Sequence, residues 1–273
     1  MLRTRLITAA ALLAVLLPLL AWGGARLFGA CMALFTSVAM WEWARLAGLR
    51  GAAPVAWALL WLATAVSVLL GLPPAFDSHL GFALSTVAWA GLLAGALPRA
   101  ALPRWLGHPP LLGALGFLLL FAAWLALWHA RAQGVGFLLS VLMLVWIADI
   151  AAYFGGRALG GWRLAPRISP GKTVSGAVCG VLAVVGYVAL CARVPELQDS
   201  LGARLAQRWG LGPALLAGAL LAAWSVAGDL FESLLKRRVG VKDSSGLLPG
   251  HGGVLDRIDA LLPLLPLVML LVP

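Results

Sequence analysis

The sequence predicts an all-α fold, a polytopic membrane helical bundle of about nine transmembrane helices with a cytoplasmic N-terminus. Three observations predict it. Of 273 residues, 62% are hydrophobic and only 11% are charged, whereas a soluble domain carries about 25% charged residues. Too few polar side chains exist to cover a water-facing surface, so much of the surrounding solvent must be lipid. Second, nine segments approach the roughly 20 apolar residues that cross a hydrocarbon core: 6–23, 28–48, 54–72, 79–97, 110–129, 135–154, 173–192, 211–233 and 254–272. Third, the basic residues divide unevenly between alternate loops. With the N-terminus inside, fifteen lie inside and five (Arg26, Arg131, Arg193, Arg204 and Arg208) outside, as the positive-inside rule requires.

Taken in order, the first segment follows Arg3 and Arg5. A cleaved signal peptide has this shape, but its apolar core is shorter and no further spans need follow, so a retained helix is the expectation. Breaks then recur at Gly23-Gly24, Gly48 to Pro54, Pro73-Pro74, Pro98 to Pro110, Gly134, Gly155 to Lys172, Pro195 and Pro249 to Gly253, all of them chain-punctuating residues. No repeat, heptad or low-complexity tail interrupts the pattern. One integral membrane domain over 1–273 is the economical reading, with N-terminal helices in 1–134 and catalytic helices and cytoplasmic loops in 135–273. Cys31, Cys179 and Cys191 sit in apolar runs without metal-ligand or disulfide spacing, so they read as packing residues. The net charge of +10 fits anionic lipid head groups and phosphorylated ligands; with no soluble domain to present it, nucleic acid is not an expected partner.

The polar residues are concentrated late in the chain. Of ten carboxylates, six are Asp149, Asp229, Glu232, Asp243, Asp256 and Asp259, and the three lysines are Lys172, Lys236 and Lys242. An ionised group inside a membrane costs on the order of 2.5–3.5 kcal/mol on insertion scales. Interfacial snorkelling accounts for Arg45, Arg99 and Arg104. It does not account for Asp229, Glu232, Ser233 and Lys236, whose spacing of three, four and seven puts them on one helix face. A Glu232–Lys236 salt bridge is the plain structural reading of part of this stripe, and it leaves Asp229 without an assigned partner. The following loop carries His251 among Gly250, Gly252 and Gly253, and Asp256 and Asp259 are expected in the opening turns of a helix starting near Val254. Glycines let backbone approach a phosphate closely, while an acidic first turn is also ordinary helix-dipole chemistry. Magnesium takes one or two carboxylates plus substrate phosphates, and Asp229 and Asp256, neither with an obvious structural partner, are placed to meet across the loop.

An upstream constellation contains Asp149 and Tyr153 on one helix face, Gly156-Arg157, and Ser169-Pro170-Gly171-Lys172-Thr173. The last run resembles half of a Walker A loop, but the leading glycine is missing and no strand is expected before it, which excludes a P-loop. A lysine with two hydroxyls opening a helix still makes an anion seat.

From Ser233 to Asp259 the chain resembles the signature of phosphatidate cytidylyltransferases, the CDP-diacylglycerol synthases. Ser233, Lys236, Arg237, Lys242, Asp243, His251, Gly252, Gly253, Asp256, Arg257 and Asp259 fill every fixed place. Asp149, Tyr153, Gly156-Arg157, Ser169-Pro170 and Lys172-Thr173 are similar to the family's upstream block, and Trp41-Glu42-Trp43 is a less specific likeness. Gly171 and Ser175 depart from it, standing where the family usually has a lysine and a glutamate.

The resemblance implies transfer of CMP from CTP to phosphatidic acid, with magnesium as cofactor, at the cytoplasmic face of a bacterial inner membrane. It further implies Asp229 and Asp256 as metal ligands and Lys236, Lys242 and His251 as further catalytic residues. Ser169, Lys172, Thr173, Ser233, Arg237, Asp243, Arg257, Asp259 and Asp149 would bind substrate. Membrane lipid is an implied partner, and a homodimer remains possible. Three other classes stay in view: a transporter using Asp149 and Asp229, another CTP-dependent membrane enzyme such as a polyprenol kinase, and a non-catalytic relative. The paired aspartate motif of CDP-alcohol phosphotransferases is absent.

Overall fold

The computed structural model describes residues 2–72 and 77–272. The Pro73-Pro74 break and the side chains of Arg3 and Arg5 lie outside the described residues. Nine helices follow the nine expected segments: α1 (Leu2–Ala21), α2 (Ala25–Leu46), α3 (Ala53–Leu69), α4 (Ser78–Ala96), α5 (Pro109–Ala132), α6 (Val135–Leu159), α7 (Val174–Cys191), α9 (Leu211–Arg238) and α11 (Leu261–Leu271). Among the described residues six of them, α2, α4, α5, α6, α7 and α9, are long and apolar enough to cross a membrane. The protein is a multi-pass helical membrane protein.

Three local expectations are corrected. The 163–173 stretch is not a bare loop but an antiparallel hairpin of β1 (Arg163–Ala165) and β2 (Ser169–Thr173). The expected absence of a strand before Thr173 therefore fails, while the two short strands remain a local addition to a helical bundle. Lys172 lies on a strand, and Thr173 caps α7 by accepting from the Gly176 N–H at 3.1 Å. The short α8 (Leu201–Trp209) was expected as loop; its Ser200 cap accepts from Ala203 N–H at 3.3 Å. The last segment is broken in two, α10 (Leu255–Ile258) and α11, with the Asp259 carboxylate accepting from Ala260 N–H at 2.7 Å at the junction.

The core is a layer of close helix crossings. Trp43 of α2 donates to Leu112 O of α5 at 2.9 Å and stacks on Phe231 of α9, centroids 6.2 Å apart. Trp124 of α5 returns a bond to Gly29 O of α2 at 2.9 Å. These two buried indoles thus contribute apolar area while their N–H groups stay paired. The α6–α7 pair approaches closely: a Cβ at Gly176 would stand 2.6 Å from Ala152 O, and one at Gly180 2.8 Å from Ala148 O. Such small-residue crossings are how membrane helices pack without a hydrophobic drive between them. This crossing sets Asp149 of α6 beside the hairpin that leads into α7.

Candidate functional site

Several polar segments meet at one end of the bundle. Lys172 on β2 is ion-paired with Asp229 on α9, both side chains 28% exposed. Ser233, one turn along α9, donates to the other Asp229 oxygen at 3.3 Å. Asp149 from α6 stands within electrostatic range of both Lys172 and Asp229. Asp149 and Lys172 line a cavity of about 420 Å³ together with Arg157, Arg163 and Thr173. Arg157 also donates to the Tyr153 hydroxyl at 3.2 Å.

A second lysine organises the opposite side. Lys236, on the same face of α9, is ion-paired with Glu232 and donates to Asp256 Oδ1 at 2.6 Å. Asp256 Oδ2 accepts from the Gly253 N–H at 2.7 Å and from both the N–H and the hydroxyl of Ser244 at 2.9 Å. The expectation that Asp229 and Asp256 lack structural partners is therefore corrected. Asp229 has one cation and one long hydroxyl bond, whereas Asp256 has Lys236, two backbone amides and a Ser244 hydroxyl that it shares with Glu42, and it ties the 244–256 loop into a closed turn. Gly252 and Gly253 are needed for this turn: Gly252 has φ +82°, and a Cβ at Gly253 would collide with the Ser244 hydroxyl and the Glu42 carboxylate. Asp259 stands within electrostatic range of Asp229, Lys172 and Lys236.

The expected residues divide into those the fold gathers and those it does not. Asp149, Lys172, Asp229, Glu232, Ser233, Lys236, Asp256 and Asp259 are gathered. Lys242, Asp243 and Arg257 are exposed and carry no ion pair among the described residues. Arg237 turns away from the cluster, donating to Ile168 O at 3.4 Å and Val241 O at 3.2 Å. Ser169 begins β2 opposite Ala165. His251 is half-buried; its backbone N–H donates to Leu248 O at 2.8 Å, and its buried ring Nδ1 has no hydrogen-bond partner among the described residues.

Glu42 was not singled out as a site residue, yet it holds the loop from the far side of the bundle. It is fully buried. One oxygen accepts from Val254 N–H at 3.0 Å and from the Ser245 hydroxyl; the other accepts from Leu255 N–H at 2.6 Å and the Ser244 hydroxyl at 3.2 Å. An anion at the first amides of α10 is also favoured by the partial positive charge there. A carboxylate inside a 22-residue apolar helix was the available signal, since such a charge needs partners. The partners lie about 200 residues away, and nothing local names them. Thr8 of α1 adds a bond to Pro249 O at 2.9 Å, so α1, α2 and α9 converge on one loop.

No three His, Cys, Asp or Glu side chains among the described residues form a metal cage by themselves. Carboxylates and lysines instead interleave there as ion pairs, Asp229 with Lys172 and Glu232 and Asp256 with Lys236.

Comparison with known proteins agrees along the full chain. Residues 3–273 match the cytidylyltransferase family. The chain is similar to the phosphatidate cytidylyltransferase of Pseudomonas aeruginosa, 41% identical over 273 residues covering 97% of this chain and 95% of the relative. It is similar to the phosphatidate cytidylyltransferase of Haemophilus influenzae at 35% identity, covering 97% of this chain and 96% of that one. A shorter match of 118 residues, 51% identical, links it to the phosphatidate cytidylyltransferase of Brucella suis. On the match across nearly its whole length, this chain belongs to the cytidylyltransferase family.

Proposed function

We infer that this protein transfers CMP from CTP to phosphatidic acid, giving CDP-diacylglycerol and pyrophosphate in phospholipid synthesis. The observation that carries this reading is the joining of the two separated motif blocks through the Lys172–Asp229 pair, in a chain similar to phosphatidate cytidylyltransferases over nearly its full length. A phosphate oxygen of phosphatidic acid attacks the α-phosphorus of CTP; the new O–P bond forms as the bond to the departing pyrophosphate breaks. Both reactants are anions, so holding them together needs cations at fixed positions. Lys172, with Arg157 and Arg163 on the same cavity wall, is assigned to the phosphate oxygens. Asp229, ion-paired with Lys172, holds it beside the cavity, with the Asp149 charge nearby.

The donor set fits magnesium through substrate phosphates and one or two carboxylates. Asp229 is the first candidate ligand, because one of its oxygens takes only a 3.3 Å bond from Ser233. Asp256 is the second, through the oxygen that Lys236 alone engages. When bound, the ion would supply charge neutralisation for the phosphate oxygens. Ser169, Thr173, Lys242, His251, Arg257 and Asp259 remain assigned to substrate or loop positioning.

The nine-span, N-inside topology in a bacterial inner membrane is part of the same proposal, as is one membrane domain over the whole chain. Support comes from the clustering of the α1 start, the hairpin and the α2, α6 and α9 C-termini at one end, where the basic loops also fall. The test is incubation of the purified protein with CTP, magnesium and phosphatidic acid. CDP-diacylglycerol and pyrophosphate should form in equal amounts, and Asp229→Asn should reduce turnover by about 10²–10³. Absence of CDP-diacylglycerol from well-folded wild-type protein overturns the reading.

A further inference from the structure

A second basic cavity lies on the other side of the β1–β2 hairpin. It measures about 390 Å³ and shares no lining residue with the first. Its polar wall is four arginines: Arg104 from the turn before α5, Arg167 from the hairpin tip, and Arg237 and Arg238 from the end of α9. Its other wall is apolar, built from Ala100 to Pro103 and Leu234.

Among the described residues no carboxylate lines this cavity, and the three ion pairs present all use Lys172 or Lys236. The carbonyl end of α9 offsets the charge of Arg237 and Arg238 in part. Arg238 further donates to Gly107 O at 3.0 Å, which fixes its direction. Arg104 and Arg167 have no such relief. All four arginines are exposed, so solvent screens their mutual repulsion in part, and an anion seated among them would relieve the rest. The wall also holds strained backbone: Ala100 has φ +48°, the one non-glycine residue with positive φ among those described. Such a conformation persists where surrounding structure enforces it, and it clusters at ligand sites. Beside Arg104, Trp105 is 59% exposed. An exposed tryptophan next to arginine marks the layer where head groups meet water.

We propose that this cavity is a second phosphate site, separate from the one that takes the reactants, and that its occupant is the head group of an anionic phospholipid. Guanidinium groups match phosphate oxygens in charge and geometry. A free phosphate shares that chemistry, but the apolar wall favours a ligand with a hydrocarbon portion. The site goes beyond the transferase reading and is tested by binding alone.

The experiment compares wild-type protein with Arg104→Gln/Arg167→Gln in phosphatidylcholine nanodiscs, using phosphatidylglycerol and inorganic phosphate as separate probes. Retained lipid is counted by native mass spectrometry, and thermal unfolding is recorded in parallel. Wild type should retain phosphatidylglycerol, the double glutamine variant should bind it about tenfold more weakly or worse, and Arg104→Lys/Arg167→Lys should restore most of the affinity. Inorganic phosphate should compete poorly. Binding of inorganic phosphate alone, lost in the glutamine variant, overturns the lipid assignment. Equal binding of phosphatidylglycerol by wild type and glutamine variant, both folded, overturns the site.

Discussion

The two lysines near the end of α9 and on β2 carry the same charge and both pair with aspartate, yet they sit in different chemistry. Lys236 is 10% exposed in its side chain, between Glu232 at 2% and Asp256 at 5%. Lys172 and Asp229 are each 28% exposed and stand beside an open cavity. In the first case the protein supplies Asp256 with three further donors, while Glu232 is buried with its Lys236 ion pair and no hydrogen-bond donor besides among the described residues. In the second, water and ligands reach both members. A buried pair resists exchange because separating it leaves a desolvated charge behind. A half-exposed pair can trade one partner for a phosphate at little cost. Lys236 is therefore the post around which the loop is built, and Lys172 is the arm that the proposed function assigns to substrate.

The sharpest way to break this comparison is to remove each ammonium while keeping the side-chain length. Lys236→Met strands Glu232 and Asp256 and should destabilise by about 3–5 kcal/mol, visible as lost monodisperse protein after extraction. Lys172→Met should extract normally and melt like wild type, while kcat/KM for CTP falls by about 10²–10³. Equal melting temperatures for the two variants would erase the distinction between post and arm.

A middle-sized effect belongs to Glu42, which extends the buried half of the comparison to α2. Glu42→Gln keeps one carbonyl oxygen for two of the four donors and turns an NH₂ group toward the other two. Each unsatisfied buried donor costs about 1–3 kcal/mol. Amide hydrogen exchange at Val254 and Leu255 should accelerate, and turnover should fall by about tenfold or more as the loop loosens. Unchanged exchange at those two amides would show that the carboxylate does not hold α10.

The smallest effect concerns the exposed half. Gly171 lines the first cavity, has no positive φ, and a Cβ there would meet nothing within 4 Å. Gly171→Lys should thus fold normally and place a second ammonium beside Lys172. The KM for CTP should drop by about two- to fivefold at low salt, the gain shrinking as ionic strength rises. A rise in KM, or a lower melting temperature, would mean that the open space is needed by the substrate or the hairpin.

The same comparison explains what the sequence disclosed. The helical segments were legible because long apolar runs leave a compositional record, six of them being long enough among the described residues to cross a membrane, and the α9 stripe was legible because Asp229, Glu232, Ser233 and Lys236 are spaced for one face. Which carboxylate met which lysine was not legible, since Lys172 and Asp229 are 57 residues apart. The hairpin escaped notice because Ser169 to Thr173 is too short to alternate, and its only partner is a three-residue strand. The break after Ile258 was hidden because Asp259 reads as an ordinary early-helix acid. Ser175, in a place where glutamate was expected, proves to be occupied: its hydroxyl donates to Gly160 O and lies 3.1 Å from Thr173 Oγ1. It ties the end of α6 to the start of α7, a task that shows only once the helices cross.

The Ser244 side chain lies 2.9 Å from Asp256 and 3.2 Å from Glu42, but a hydroxyl owns a single proton. It can satisfy only one of those acids at any instant. Asp256 keeps the Ser244 and Gly253 amides when the hydroxyl rotates, and Glu42 keeps those of Val254 and Leu255. The rotor therefore lets either acid surrender one bond without releasing the loop. Should Asp256 be drawn toward an arriving cation, the proton can swing to Glu42, and the turn absorbs the change as a bond rotation rather than a rearrangement of backbone.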